Sequence, residues 1–352
     1  MRPIQDGHTN LHVMEVCGTH TMAIAAHGLR TLLPQGLELI SGPGCPVCVS
    51  DSAYVDQAVL LSQLPIRAIV ATYGDMVRVP GSTGSLAQAR SAGADVRVVM
   101  GASAALDLAR ANPRRQVVFL GVGFETTAPG TALALQQARR EGIGNFSVLT
   151  AHKTIIPAME ALLADLDNSI DAFLCPGHVS VIIGSDAYKP LVERFGRPCV
   201  VAGFEPGQIL MGLVEILTQL RDHRPRASSV YGVVRPEGNP TARAVLEEVF
   251  QPAEAVWRGL GSIPGSGLEL RPAWQDFNAA QRFGLPKPRS FDPPGCRCGE
   301  VIRGRRRPAE CSLFGKRCRP TQPVGPCMIS SEGACAAAYR YERVKPTIRA
   351  VG

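Results

Sequence analysis

Eleven cysteines carry most of the chemistry open to this 352-residue sequence, and they are unevenly placed. Three fall between Cys17 and Cys48, six between Cys296 and Cys335, and Cys175 and Cys199 stand apart. A thiolate is a nucleophile, a redox group or a soft metal ligand. The stretch SGPGCPVCVS, residues 41–50, sets Cys45 and Cys48 three apart after a Gly-Pro-Gly turn. That spacing suits a redox disulfide, half of a metal site, or a buried turn with two idle thiols, and the bare C-x-x-C does not separate them. In LHVMEVCGTHTMAIAAHGLR, Cys17 follows a strand-like run and precedes a helical one, with His20 three residues on. Exposed N–H groups at a helix start favour the thiolate, which predicts a lowered pKa for Cys17. Cys45 and Cys48 occupy the next strand-to-helix loop, and in parallel sheets such loops gather where ligands bind. Three thiols and an imidazole are therefore expected in one cleft, a site for iron, copper(I) or zinc.

The second constellation is CRCGEVIRGRRRPAECSLFGKRCRPTQPVGPCMISSEGAC, with cysteines at 296, 298, 311, 318, 327 and 335. Four thiolates hold either zinc or an iron–sulfur cluster. Zinc ribbons favour closely paired knuckles, whereas the gaps here are 1, 12, 6, 8 and 7 residues. Such long, uneven gaps suit a cubane ligated from several loops, and six cysteines leave two thiols for another task. Between Lys287 and Arg319 ten Lys/Arg face three Asp/Glu. This basic run reads as a nucleic-acid footprint, a solvated face, or a counter-charge to an anionic cluster, and the interleaved cysteines favour the last.

Elements that would position these groups are legible in the apolar pattern. LELIS (37–41), IRAIVA (66–71), VRVVM (96–100), QVVFLG (116–121), FSVLT (146–150), DAFLC (171–175) and PCVVAG (198–203) are short, nearly continuous apolar runs. Separated by helix-length segments, they read as parallel strands buried on both faces. SAYVDQAVLLSQL, TALALQQARREG and PGQILMGLVEILTQL carry helical spacing. The class is α/β. Gly123-Phe124-Glu125 and Gly203-Phe204-Glu205 each run from strand to helix, an echo that predicts two similar parallel-sheet lobes, 1–120 and 121–228. Residues 229–352 then form a mixed helical and loop domain ending in the Cys-rich module. Its linker, 284–296, holds four prolines and two glycines. With so little periodic apolar sequence, the module is expected to need a metal to hold its shape.

No apolar run approaches a membrane span and MRPIQDGHTNLHVMEV lacks a signal-peptide core, so the chain is read as cytoplasmic. In a reducing compartment clustered cysteines point to metal or catalysis rather than to structural disulfides. Cys175 and Cys199 each lie in an apolar stretch and are taken as core hydrophobes. His178, in Cys175-Pro-Gly-His178, sits in a post-strand loop as either a hydrogen-bonded or a functional residue. Glu125, Glu205 and Glu332 line a cleft or cap helices. GVGFETTAPG lacks the third glycine of a dinucleotide fingerprint, and no stacking pattern suggests nucleic acid.

Together these residues resemble the HypD family of [NiFe]-hydrogenase maturation proteins. The matching motifs are EVCGTHT (15–21), SGPGCPVC (41–48), TYGDM (72–76), GFETTAP (123–129), PGHVSVIIG (176–184), VAGFEP (201–206), SGLELR (266–271) and CRCGEVIRG…CSLFGKRC…PVGPCMISSEGAC (296–335), in order along nearly the whole chain. Fourteen residues precede EVCGTHT, fewer than the family usually carries. The resemblance implies a scaffold, not a turnover enzyme, that assembles the iron unit bearing two cyanides and a carbon monoxide. It works with a HypC-type small chaperone and a HypE-type cyanide donor. By motif, Cys17 is implied as ligand or anchor of that ferrous iron with His20 beside it, and Cys45 and Cys48 as a redox pair. The family's cubane ligands, with gaps of 14, 6 and 16, fall on Cys296, Cys311, Cys318 and Cys335. Cys298 and Cys327 remain as a pair similar to the cluster-adjacent disulfide of ferredoxin:thioredoxin reductases. The implied electron route runs from a [4Fe–4S] cluster through Cys298/Cys327 to Cys45/Cys48, with His178 and Glu332 in the catalytic set. The alternative is an iron–sulfur-dependent thiol–disulfide oxidoreductase, which leaves Cys17 and His20 without a task.

Overall fold

Short apolar runs became strands wherever both faces could be covered. The computed structural model describes residues 10–286 and 289–342; the extreme N-terminus read for a leader, and Lys287–Pro288 of the linker, lie outside them. In chain order the first strands are β1 (Leu11–Glu15), β2 (Leu37–Ser41), β3 (Ile69–Thr72), β4 (Val96–Val98), β5 (Val117–Gly123) and β6 (Phe146–His152). They are followed by β7 (Ala172–Pro176), β8 (Cys199–Ala202), β9 (Ala227–Ser229), β10 (Phe250–Trp257) and β11 (Gly261–Leu270). One sheet has the order β2-β1-β7-β8-β9 and another β4-β3-β5-β6, with every pairing parallel. β3, β5 and β8 are buried at every residue, as expected for parallel strands covered by helices on both faces.

The two parallel sheets match the expected α/β class, but the chain divides between them differently. The first sheet takes β1 and β2, then waits while β3 to β6 build the second, and is completed by β7 to β9. The expected boundary at residue 120 therefore falls inside β5. The Gly-Phe-Glu echo does mark equivalent turns: Gly123 ends β5 ahead of helix Ala128–Arg140, and Gly203 follows β8 ahead of helix Pro206–Arg221.

Residues 250–270, read as part of a helix-and-loop stretch, form an antiparallel hairpin, β10-β11, with a bulge between Ala253 and Ala255. The hairpin packs beside β6, where Thr154 N donates to Ser266 O at 2.9 Å. It buries Trp257, whose ring stacks on Phe124 at 5.8 Å. The Cys-rich segment contains no β-strand among the described residues. Short turns and helix Cys298–Ile302 lead to helix Ala334–Tyr341, which packs on helix Gly18–Ala26. No helix among the described residues is long and apolar enough to cross a membrane.

Candidate functional site

A cleft of about 550 Å³ opens where loops from the carboxyl ends of both sheets meet. Cys17 follows β1, Tyr73 and Asp75 follow β3, Met100 follows β4, Thr126 follows β5 and His178 follows β7, and all six line it. This is the placement expected for ligand sites in parallel α/β sheets. Cys17 is the N-cap of helix Gly18–Ala26 in an extended conformation, and Gly18 N donates to Gly44 O at 3.0 Å. Two glycines make this approach possible. A Cβ on Gly44 would stand 2.2 Å from Cys17 N, and one on Gly18 would stand 2.5 Å from Glu332 Cβ. Glu332, from the Cys-rich segment, lines the cleft and accepts from Thr19 Oγ1 at 3.0 Å.

The expected low pKa of Cys17 is overturned. Burial pushes its thiol up to about 12, opposed by the His20 and Thr19 N–H groups and assisted by the Glu332 carboxylate. Desolvation of the charged form outweighs the helix-end donors. Cys17 is thus a neutral thiol near pH 7, and a soft cation binding there has to displace its proton.

His20 does not share the cleft. It is fully buried, its Nε2 bonds Gly203 O at 2.9 Å, and its ring lies 4.9 Å from that of Phe204. Burial lowers its pKa to about 4, so it is neutral. A side chain in the first helical turn faces inward here, toward the loop after β8. The imidazole on the cleft is His178, whose ring lies 4.1 Å from that of the same Phe204.

Cys45 and Cys48 also stay behind the cleft wall, which is made by Gly44, Pro46 and Val47. They are joined as a disulfide with Cα atoms 5.2 Å apart, and both are buried. Cys45 caps the short helix Pro46–Val49, whose N1 position is the Pro that tolerates a missing N–H. This helix packs against the turn Pro326–Met328, which carries Cys327. Cys327 in turn meets Cys298, with sulfurs 2.7 Å apart. The two pairs, remote in sequence, therefore occupy neighbouring elements in one continuous core.

All six C-terminal cysteines line a single cavity with Leu313, Phe314 and Met328. Burial raises the Cys335 thiol, and Cys298, Cys296, Cys318 and Cys311 are all close enough to raise it further. No three or more His, Cys, Asp or Glu side chains among the described residues converge tightly enough for a single ion. A cluster takes its ligands at separated corners, and four thiols from separate loops suit that donor chemistry. The void between them is about 20 Å³, less than a four-iron cluster fills, so the thiols and not the void carry the fit.

The remaining candidates take structural places. Glu125 is buried and accepts from Ile155 N at 2.9 Å; Glu205 caps helix Pro206–Arg221 reciprocally with Gln208. Cys175 and Cys199 are buried in β7 and β8. Two contributors were not singled out as site residues, although Asp75 lies in the TYGDM motif. Asp75 Oδ2 accepts from Ser331 N at 3.1 Å, tying the Cys-rich segment to the cleft. Arg258 donates its N–H to Val49 O at 2.9 Å and its Nε to Ser50 O at 3.0 Å, linking the hairpin to the end of the C-x-x-C helix.

Strand ends from two parallel sheets, a cleft lined by Cys17 and a Cys-rich segment that contributes Glu332 to it define an α/β protein with a candidate ligand site at its strand ends. A family model, HypD, described as the hydrogenase formation hypA family, matches residues 1–342. The chain is 46% identical over 337 residues to the hydrogenase maturation factor HypD of Rhodobacter capsulatus, covering 94% of this chain and 89% of that one. It is 47% identical over 335 residues to that of Escherichia coli (strain K12), covering 95% and 90%. The chain belongs to the HypD family of hydrogenase maturation factors.

Proposed function

We propose that this chain is an assembly scaffold for the iron unit of [NiFe] hydrogenase, holding the iron at Cys17 while its cyanide and carbon monoxide ligands are attached. The observation that carries this reading is the position of Cys17. It is the thiol lining the large cleft at the carboxyl ends of both sheets, with His178 and Glu332 beside it. A soft thiolate suits a low-spin ferrous ion carrying such ligands. Glu332, already bonded to Thr19, is placed to receive the proton that Cys17 gives up on binding iron. The cleft exceeds what one ion fills, which supports entry of a segment of a HypC-type chaperone and of a HypE-type cyanide donor.

Cys296, Cys311, Cys318 and Cys335 would hold a [4Fe–4S] cluster, which supplies one-electron chemistry when bound. The chain's own part is thiol exchange. A Cys327 or Cys298 thiolate attacks the Cys45–Cys48 disulfide, forming a mixed disulfide and releasing one thiolate of the C-x-x-C pair. The second thiolate of the 298/327 pair resolves it, so two electrons move inward and the Cys298–Cys327 disulfide forms. Adjacent packing of helix Pro46–Val49 and turn Pro326–Met328 supports this path.

The test is an anaerobic infrared spectrum of the chain copurified with its small chaperone. Cyanide and carbonyl bands are expected in the parent complex and absent in Cys17→Ala. Bands that persist unchanged in Cys17→Ala would remove the iron from this site; iron and sulfide with no such bands in the parent would favour a thiol–disulfide oxidoreductase.

A further inference from the structure

A further cavity, of about 210 Å³, adjoins the Cys-rich segment, and its walls hold more positive than negative side chains. Arg258, Arg297 and Arg303 line it together with Asp292 and Glu300. Arg258 is 3% exposed, yet its Nη2 is buried without a hydrogen-bond partner among the described residues. Its Nη1 reaches only the outer edge of bonding distance to Asp292, 3.5 Å, and that aspartate side chain is 65% exposed. Arg303 repeats the pattern, with a buried Nε that has no hydrogen-bond partner among the described residues. Glu300 does not answer either need, because it already holds Arg297 at 2.7 Å and Arg306 at 2.6 Å.

A buried donor with no acceptor is costly, and more so on a charged group. Here two arginines from separate segments each keep such a donor and line the same small space. The segments are locked together: a Cβ on Gly259 would lie 2.4 Å from Gly299 Cα, so the backbones touch beside the cavity. An acceptor with more than one oxygen, held in this space, would meet guanidinium groups from both segments.

We propose that this cavity is a binding site for a small oxyanion, a carboxylate or an inorganic sulfate or phosphate, held by Arg258 and Arg303. The guanidinium fork matches such groups in geometry as well as charge. The volume lies below the roughly 300 Å³ at which organic ligand sites usually begin, which restricts the ligand to a small anion. Cys296 and Cys298 line the same cavity, so the bound anion sits against the thiol module and brings its charge there. The site is separate from the Cys17 cleft, and its existence does not depend on the assembly reading.

Isothermal titration of the anaerobically purified full chain tests it, with sodium sulfate, phosphate and acetate each compared at matched ionic strength with sodium chloride. One saturable site per chain is expected, weakened at least roughly tenfold in Arg303→Gln and in Arg258→Gln. Saturation by acetate identifies a carboxylate site; saturation by sulfate or phosphate alone identifies a tetrahedral oxyanion site. No saturable binding beyond chloride overturns the proposal, as does Arg303→Gln binding as tightly as the parent. Should Arg258→Gln fail to fold, as judged by circular dichroism, Arg303→Gln alone decides.

Discussion

Substituting alanine for Gly44 tests whether the C-x-x-C loop and Cys17 are held together by backbone contact. The added Cβ would meet Cys17 N at 2.2 Å, Val16 C at 2.3 Å and Cys17 Cα at 2.5 Å, and none of these can swing aside as a side chain can. Relief requires the loop to move out by about 1 Å, which breaks the 3.0 Å bond from Gly18 N to Gly44 O. Overpacking costs about 1–3 kcal/mol and the lost bond about 0.5–1.5, so a destabilisation of about 3 kcal/mol is expected. With an unfolding entropy of about 2.1 cal/mol/K per residue, that energy lowers Tm by about 4 °C if the chain unfolds as one unit. Gly130 supplies the control. It lies in helix Ala128–Arg140 with nothing within 4 Å of a built Cβ, so Gly130→Ala should be neutral or slightly stabilising. Scanning calorimetry reads the stability, and alkylation of Cys17 by iodoacetamide reads the local opening, which should quicken only in Gly44→Ala. Equal Tm values and equal Cys17 labelling in the two variants would refute the reasoning.

Two further predictions concern charge and ligation. Burial pushes Glu125 up to about 7 from its ordinary value of 4.5. Between those values the folded chain keeps a proton that the unfolded chain has lost, so the associated stability is full below about 4.5 and is lost as pH rises through about 7. Relative to Glu125→Gln, the parent should therefore gain on the order of 3 kcal/mol between pH 8 and pH 4.5, read by denaturant unfolding at several pH values. A pH-independent difference would show that Glu125 stays charged in the fold. Cys311→Ser should lose most of the bound iron and acid-labile sulfide while Cys298→Ser keeps them; equal retention in both would reassign the ligands.

The strands were readable where burial is complete on both faces. QVVFLG (116–121) became β5, buried at every residue, because a parallel strand covered by helices has no polar face to blur the pattern. The hairpin β10-β11 was not readable. Pro252, Pro264 and four glycines of β11's neighbourhood break the local signature, and its exposed face replaces a continuous apolar run with alternation. The return of the chain to the first sheet at β7 was equally hidden, since periodicity reveals an element but not its partner. At the cleft, Cys17 and His178 line the wall from their settings after strands, whereas His20 lies buried behind it. Both histidines follow a strand and both rings pack on Phe204; His20 is enclosed with its Nε2 on Gly203 O, whereas His178 opens onto the cleft. Arg258 gave no sign in the sequence at all, because its importance comes from contacts with Ser50, 208 residues away.

Contact between the two cysteine pairs is the claim on which the proposed route depends, and disulfide trapping tests it most directly. In a Cys45→Ser, Cys298→Ser double variant, Cys48 and Cys327 are the thiols left on helix Pro46–Val49 and turn Pro326–Met328. After mild oxidation, non-reducing peptide mapping should recover a linked Cys48–Cys327 peptide. Recovery of both residues as separately alkylated thiols, in a folded variant, would contradict exchange between the pairs.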